Sequence, residues 1–464
     1  MAQSSAFFLF LRYSLGDKVD MSIIVANIDW QQLYSFATKQ TIIGISFDGI
    51  KRLSEEYPEE LKKNPIERDL LMTWMGVSQQ IRRQNMKVNA VASKLFSMLR
   101  KDGLRCCILK GQGNAGMYQN PYSRTPGDVD VWVNANRKTI MEYASKKFEL
   151  GDDIRLQHVE ITMDGVPVEL HFFPCSMNNP VYNARLQKWF KRNADLQCSN
   201  VVSLPDGIGE IAIPTTAFNV IYQLTHLYHH FFDEGIGMRQ IIDYYVVMND
   251  FWKVKESFSQ PSRPSLPKEG STAFPKPLSP QGTGDVTAPS RCSEPLRSKD
   301  GGPSKVSPDC AGWDRRGVSG DTSSVSCSSA SGSSITSVSS TFTTDSSAST
   351  ALVVVQRELK YLGLWKFAGA VMYVLHETLG LPEEKMIVPV DEKRGRLLLA
   401  EILDGGNFGR HFSKYGGFTH QSMGKKYFLK IWRNMHFVRY YPAEALCEPL
   451  FRTWHFFWRQ KYKK

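Results

Sequence analysis

Asp128 and Asp130 stand two residues apart in a stretch, 128–133, where Val129, Val131 and Val133 alternate with Asp128, Asp130 and Trp132. Alternation predicts a strand with both carboxylates on one face, about 7 Å apart along it, and the valines on the other. Two like charges so close repel unless a cation neutralises them, and a divalent ion suits two carboxylates. Solvated strand faces also carry such pairs, so further acids must decide the matter.

A second constellation follows. Residues 154–163 and 166–172 flank Asp164-Gly165, a dipeptide that favours a two-residue hairpin turn. Pairing outward from that turn sets Met163 against Val166, Glu160 against Glu169 and His158 against His171. Val166, Val168, Leu170 and Phe172 then share one face, and the two glutamates and two histidines share the other. Glutamates directly opposite each other cost a few tenths to ~1 kcal/mol without a counter-ion. An exposed hairpin face is the competing reading, and a register slip of one residue would dissolve the pairing.

A third feature is Lys110-Gly111-Gln112-Gly113 at the end of a short apolar strand, 105–109. Glycines there let a backbone approach a ligand closely, and Lys110 adds a point charge suited to phosphate. The GxxxxGK[ST] phosphate loop is missing, and a plain turn explains the same residues. Arg124 lies four residues before Asp128 and could reach the same pocket. Farther on, His226, His229, His230, Arg239 and Asp243 fall in a helical run, 215–248. Packing between helices accounts for such histidines, although His226 and His230, four apart, could pair on a metal. Arg239 and Asp243 have the spacing of an intrahelical ion pair.

The elements that must position these groups follow from periodicity and punctuation. Asn64-Pro65 opens a long helix over 66–100, which Asp102-Gly103 closes. A helix over 136–148 separates the aspartate strand from the hairpin. Helical periodicity returns over 352–379, with Gly380 placed to stop it, then over 394–403 and from 425 onward. The expected class is α/β (α+β): a small mixed sheet flanked by N-terminal and C-terminal helical segments, with a long disordered insertion. The boundaries read as 1–102 helical, 103–213 α/β core, 214–256 helical and packed on the core, 257–350 insertion, and 351–464 helical with a basic, aromatic tail. Within residues 321–350 there are 14 Ser and 6 Thr, and such a stretch buries too little apolar surface to offset its ordering entropy.

The chain has 464 residues and a formal charge of +11. Residues 421–464 hold 10 Lys+Arg and 2 Asp+Glu, or +8, so the basic character is local. There the cations interleave with Trp432, Phe437, Tyr440, Tyr441, Trp454, Phe456, Phe457 and Trp458. That pattern suits a polyanion, either single-stranded nucleic acid or an anionic surface, or else an aromatic core stripe with a solvated basic back. No apolar run approaches the ~18 residues of a membrane span. The run 6–11 stops at Arg12 and lacks the flanks of a secretion signal. None of the 8 cysteines forms a CxxC pair, and adjacent Cys106 and Cys107 should be reduced core residues facing opposite ways. A cytoplasmic protein is the expectation.

Together, Leu109-Lys110-Gly111, Tyr118, Pro121, Arg124, Gly127-Asp128-Val129-Asp130-Val131 and Val168-Glu169-Leu170-His171 resemble the uncharacterised nucleotidyltransferase family of the polymerase β-like superfamily. The His226, His229, Arg239, Asp243 and Leu362-Gly363-Leu364 regions look similar too. The resemblance implies a mixed-sheet core in which Asp128, Asp130 and Glu169 are catalytic and hold Mg²⁺ or Mn²⁺. It implies a nucleoside triphosphate (NTP), ATP among them, as substrate, gripped by Lys110, Gly111, Gln112, Gly113 and Arg124. His158, Glu160, His171 and Arg239 are secondary candidates. The superfamily more usually has Gly-Ser where this chain has Lys110-Gly111, and the spacing to the aspartates is longer here. The acceptor, whether protein, small molecule or nucleic acid, does not follow from the resemblance. A non-catalytic nucleotide or nucleic-acid binding module on the same fold is the alternative.

Overall fold

Five strands form the sheet that the alternating segments predict. The structure, a computed structural model, describes residues 2–259, 347–412 and 422–462. The chain divides into one unit of Met1–Pro261 with Thr344–Lys464 and a second, Ser262–Thr343. The second unit, and with it nearly all of the stretch 257–350 read as disordered, lies outside the described residues. The two ends of that stretch are helical.

The N-terminal part is helical: α1 (Ala2–Ser14), α2 (Trp30–Gln40), α3 (Ile43–Glu56), α4 (Pro58–Lys63) and α5 (Arg68–Lys101). The apolar run 6–11 is part of α1, where Phe10 and Leu11 join the core. Next come β1 (Cys106–Ile108), the short α6 (Gln112–Ala115), β2 (Val129–Val133), α7 (Arg137–Lys147), β3 (Leu150–Ile154), β4 (His158–Met163) and β5 (Val166–His171). Their order in the sheet is β1-β2-β5-β4-β3, with β2 and β5 parallel and the other pairs antiparallel. The sheet is therefore mixed, as expected. Asp164 and Gly165 both have positive φ (51° and 70°), the backbone of the tight turn that the dipeptide favours. That turn fixes the register expected for β4 and β5: Met163 opposite Val166, Glu160 opposite Glu169, His158 opposite His171.

Alternation then sorts the side chains between two cores. Val129, Val131, Val133, Val159, Ile161, Val168 and Leu170 pack with Cys106 and α5 on one face. Trp132, Cys107 and Leu109 belong to the larger, helix-built core on the other. Cys106 and Cys107 are both free and buried and face opposite ways. The second face carries the polar cluster.

The rest of the fold is α8 (Pro180–Gln197), a two-stranded ladder of β6 (Val201–Ser203) and β7 (Glu210–Ala212), α9 (Thr216–Asp233), α10 (Met238–Ser259), α11 (Ser347–Tyr361), α12 (Trp365–Leu379), α13 (Glu392–Gly405), α14 (Met423–Met435), α15 (Pro442–Ala445) and α16 (Glu448–Tyr462). The single helices expected over 215–248 and 352–379 are each two. The first breaks at Glu234–Gly237, where Gly235 has φ 106°. The second breaks at Gly363, with φ 74°. Gly380 does cap α12 in the left-handed conformation. The α9–α10 break packs backbone against backbone on the loop after α13. A Cβ on Gly237 would lie 2.7 Å from Asn407 Cα, and one on Gly409 would collide with the Glu234 carbonyl. Among the described residues, no helix is long and apolar enough to cross a membrane.

Candidate active site

Asp130 and Glu169 are neighbours because β2 and β5 pair in parallel with those two residues in register. Asp128 sits just before β2. Carboxylate oxygens of Asp128, Asp130 and Glu169 lie within 4.8 Å of one another. The three acids expected to act together are therefore together, at the edge of a cleft of about 520 Å³. That volume falls within the ~300–1,000 Å³ of small-molecule sites.

Two cations hold the acids in place. Lys110 Nζ is 2.9 Å from Asp130 Oδ1. His171 Nε2 lies 3.1 Å from both Asp130 Oδ1 and Glu169 Oε2, so its N–H is shared between two carboxylates. Burial alone would discharge Asp130, but the Lys110 charge and the His171 hydrogen bond keep its carboxyl far below the ordinary range. Burial opposes His171 protonation in the same way. The bonds to Asp130 and Glu169 outweigh it and lift the imidazole to about 9. Asp128 has neither partner. The Asp130 charge, then its own burial, push it up to about 6. This is the raised acid that three crowded carboxylates call for.

His158 stands beside the group without joining it in the same way. Its Nδ1 is 3.2 Å from Glu169 Oε2 but is not aligned for a hydrogen bond. Burial, and then the His171 charge, press it down to about 3, so it is a neutral imidazole. His158, Glu169 and His171 form a second group with ligand atoms within 4.8 Å. Glu160 opposes Glu169 in register but does not line the cleft; Gly151, in β3, backs onto it.

The proposed phosphate residues separate. Lys110, Gly111 and Arg124 line the cleft, whereas Gln112 and Gly113 do not. Gln112 is buried and donates to Asn89, and a Cβ on Gly113 would lie 2.7 Å from the Ile108 carbonyl. Both lie under the turn, beside a separate cavity. Gly111 has φ 58° and sits close to Asp128 and Arg124.

Arg124 is held by Asp243, not free to swing. It donates from Nε (2.7 Å) and Nη2 (2.8 Å) to the two carboxylate oxygens, and Tyr118 donates to the same carboxylate at 2.6 Å. Asp243 is thus the partner of Arg124 rather than of Arg239. Arg239 instead donates to the Thr125 carbonyl (3.3 Å) and lies 5.4 Å from the Phe408 ring, with its Nε buried and without a partner. Burial and the neighbouring Arg124 charge lower its pKa, against the opposing pull of Asp243 and Asp128.

The opposite wall comes from residues whose spacing is visible in the sequence but whose destination is not. His226, His229 and His230 of α9 line the cleft, and His229 Nδ1 lies 3.1 Å from the Ser176 carbonyl. Lys426 and Lys430, four apart on α14, reach it from the basic tail, and Lys430 is 3.5 Å from Asp233.

A family model described as "uncharacterised nucleotidyltransferase" matches residues 26–257, half of the chain. The chain belongs to this family. Nucleotidyl transfer is thereby its reaction class in general terms, and the match takes in the acids, Lys110, Arg124 and Arg239. Among curated proteins, none matches the chain.

Proposed function

We propose that this cleft binds an NTP with Mg²⁺ or Mn²⁺ and transfers its nucleotidyl group to an acceptor, releasing pyrophosphate. The observation that carries the reading is the convergence of Asp128, Asp130 and Glu169 within 4.8 Å, on and just before two parallel strands, in a cleft that cations also line. The donor set fits a hard divalent ion: three carboxylates, one of them without an ion pair and only partly offset by the Lys110 charge. Such an ion, when bound, supplies Lewis-acid stabilisation of the attacking and leaving oxygens. Asp128, Asp130 and Glu169 would hold it.

The other roles follow from charge and reach. Arg239, with an unpartnered Nε, and Lys110 are the groups best placed to take phosphate oxygens. Arg124, clamped by Asp243 and Tyr118, gives the same region a fixed guanidinium whose charge is largely balanced by Asp243. Glu169, at the cleft edge and more exposed than Asp130, would accept the acceptor's proton.

The test is incubation of the protein with labelled NTPs, Mg²⁺ or Mn²⁺ and cell extract, in parallel with Asp130→Asn. Transferred label in the wild type and none in the variant is the expected result. NTP-dependent thermal stabilisation without turnover for any acceptor would favour a binding module, and activity in Asp130→Asn would remove the triad.

A further inference from the structure

The outer sides of α14 and α16 carry large apolar side chains that nothing covers among the described residues. On α14, Phe428 is 72%, Trp432 62% and Met435 47% exposed. On α16, Leu450 is 73%, Trp454 50% and Phe457 66% exposed. Each trio is spaced by four and then three residues, so each is a row along one helix face. The Tyr427 and Thr453 hydroxyls are hydrogen-bonded to each other, joining the two helices. Each of those residues is the sequence neighbour of a row member, Phe428 and Trp454, so both rows pass within one residue of the contact between the helices. Monomeric proteins rarely expose a patch of this kind without a use for it.

On its inner side α14 is properly packed: Arg433 is 1% exposed and donates to the Phe231 carbonyl, and Lys426 and Lys430 turn into the cleft. The exposed row on α14 is therefore not a core stripe that faces the wrong way. α16 is tied to the fold through Arg452, which donates to Asp233, and through Glu448, 2% exposed.

Charge narrows the choice of partner. Residues 421–464 contain two acids, Glu444 and Glu448, which are 1% and 2% exposed. Lys425, Arg439 and Lys461 are exposed. To solvent, this part of the chain presents cations and apolar surface and withholds its carboxylates. Lys425 precedes Phe428 by three and Lys461 follows Phe457 by four, which sets one lysine at the end of each row. Apolar rows with terminal lysines match the boundary between lipid headgroups and acyl chains, where the amines stay at the headgroups. Single-stranded nucleic acid would instead call for a stacking plane at each step of the rows, and Met435 and Leu450 offer none.

We propose that the outer faces of α14 and α16 dock the protein on the surface of a membrane containing anionic lipid. The contact is interfacial, because no described helix can span. It does not depend on the nucleotide chemistry of the cleft.

The experiment is co-sedimentation of the full-length protein with vesicles of phosphatidylglycerol in phosphatidylcholine, and of phosphatidylcholine alone. Binding is expected with phosphatidylglycerol, weakening as salt rises. Trp432→Ser with Trp454→Ser should reduce partitioning by about tenfold or more, since binding scales with buried apolar area. Their exposure predicts an unchanged melting temperature. Should that pair misfold, Lys425→Glu with Lys461→Glu serves instead, and loss of the preference for phosphatidylglycerol is expected. Failure to sediment with either vesicle would overturn the proposal, as would binding indifferent to both variant pairs. A dimer, or an RNA complex, that the tryptophan pair abolishes in the absence of vesicle binding would also overturn it, by showing what covers the rows.

Discussion

Asp128→Asn should make the metal-free protein more stable and at the same time deaf to its ligands. Asp128 is the acid that makes no ion pair, and the Asp130 charge, only partly offset by Lys110, lifts it from 3.8 to about 6 in the folded protein. The folded state therefore holds the proton more tightly than the unfolded one. Each tenfold difference in proton affinity is worth ~1.4 kcal/mol, so stability falls by ~3 kcal/mol as pH rises from about 4 to 6 and stays lower above that. Asparagine carries no charge to repel. With part of that lost to the amide's poorer backbone contacts, the gain at pH 8 should be about 1–3 kcal/mol, worth ~2–6 °C. The assay is calorimetric melting in chelator across pH 4–8, for wild type and variant. The two should converge near pH 4 and separate above pH 6, the variant the higher. Adding Mg²⁺ and NTP at about a hundredfold over the dissociation constant should raise the wild type by ~2.7 kcal/mol and leave the variant unmoved. A variant that melts lower at pH 8, or a gap that does not close towards acid, would refute the assignment of the raised acid to Asp128.

Lys110→Ala should lower NTP affinity tenfold to a hundredfold by calorimetry. It should also cost ~2–4 kcal/mol of stability in urea titration, contrary to the small change that a surface phosphate contact would give, because Asp130 loses its ion pair in a buried setting. Asp243→Asn should cost about 3–5 kcal/mol by the same measurement, since Arg124 is left buried with half its clamp. Glu444 is buried against the Asn178 and Asn179 amides and is pushed up to about 7, mainly by burial. Its folded state also prefers the proton, so stability is lost as pH rises from about 4.5 to 7. Glu444→Gln should then melt higher than wild type at pH 8, by about 1–2 kcal/mol, and match it below pH 5.

What could be read from the chain alone was what short-range chemistry controls. The Asp164-Gly165 turn dictates its own geometry, and with it the pairing of Glu160 with Glu169 and of His158 with His171. Alternation in 128–133 dictates which face the aspartates take. The parallel pairing that sets Asp130 beside Glu169 joins strands nearly forty residues apart, and no local pattern encodes it; the family resemblance supplies that link instead. Gln112 and Gly113 look like ligand contacts because glycine-rich turns serve packing and phosphate binding with the same residues. Arg239 and Asp243 have the spacing of a pair, but Arg124 offers Asp243 a bidentate bond in a buried place, which an intrahelical contact cannot match. The breaks at Gly235 and Gly363 escape a reading by periodicity, because the helical pattern continues across both.

The glycine contact between the α9–α10 break and the loop after α13 bears on how variant data for this protein should be interpreted. Gly237 and Gly409 both meet backbone across this contact, and any side chain there would push apart two segments beside the cleft. In a saturation screen scored on growth or product, both positions would be as intolerant as Asp130. A map of sensitive sites would then enlarge the apparent chemistry of the cleft with residues that only shape it. Soluble yield measured alongside activity separates the two kinds: substitutions at the glycines should lose both together, whereas substitutions at Asp128 should lose activity while yield holds or improves.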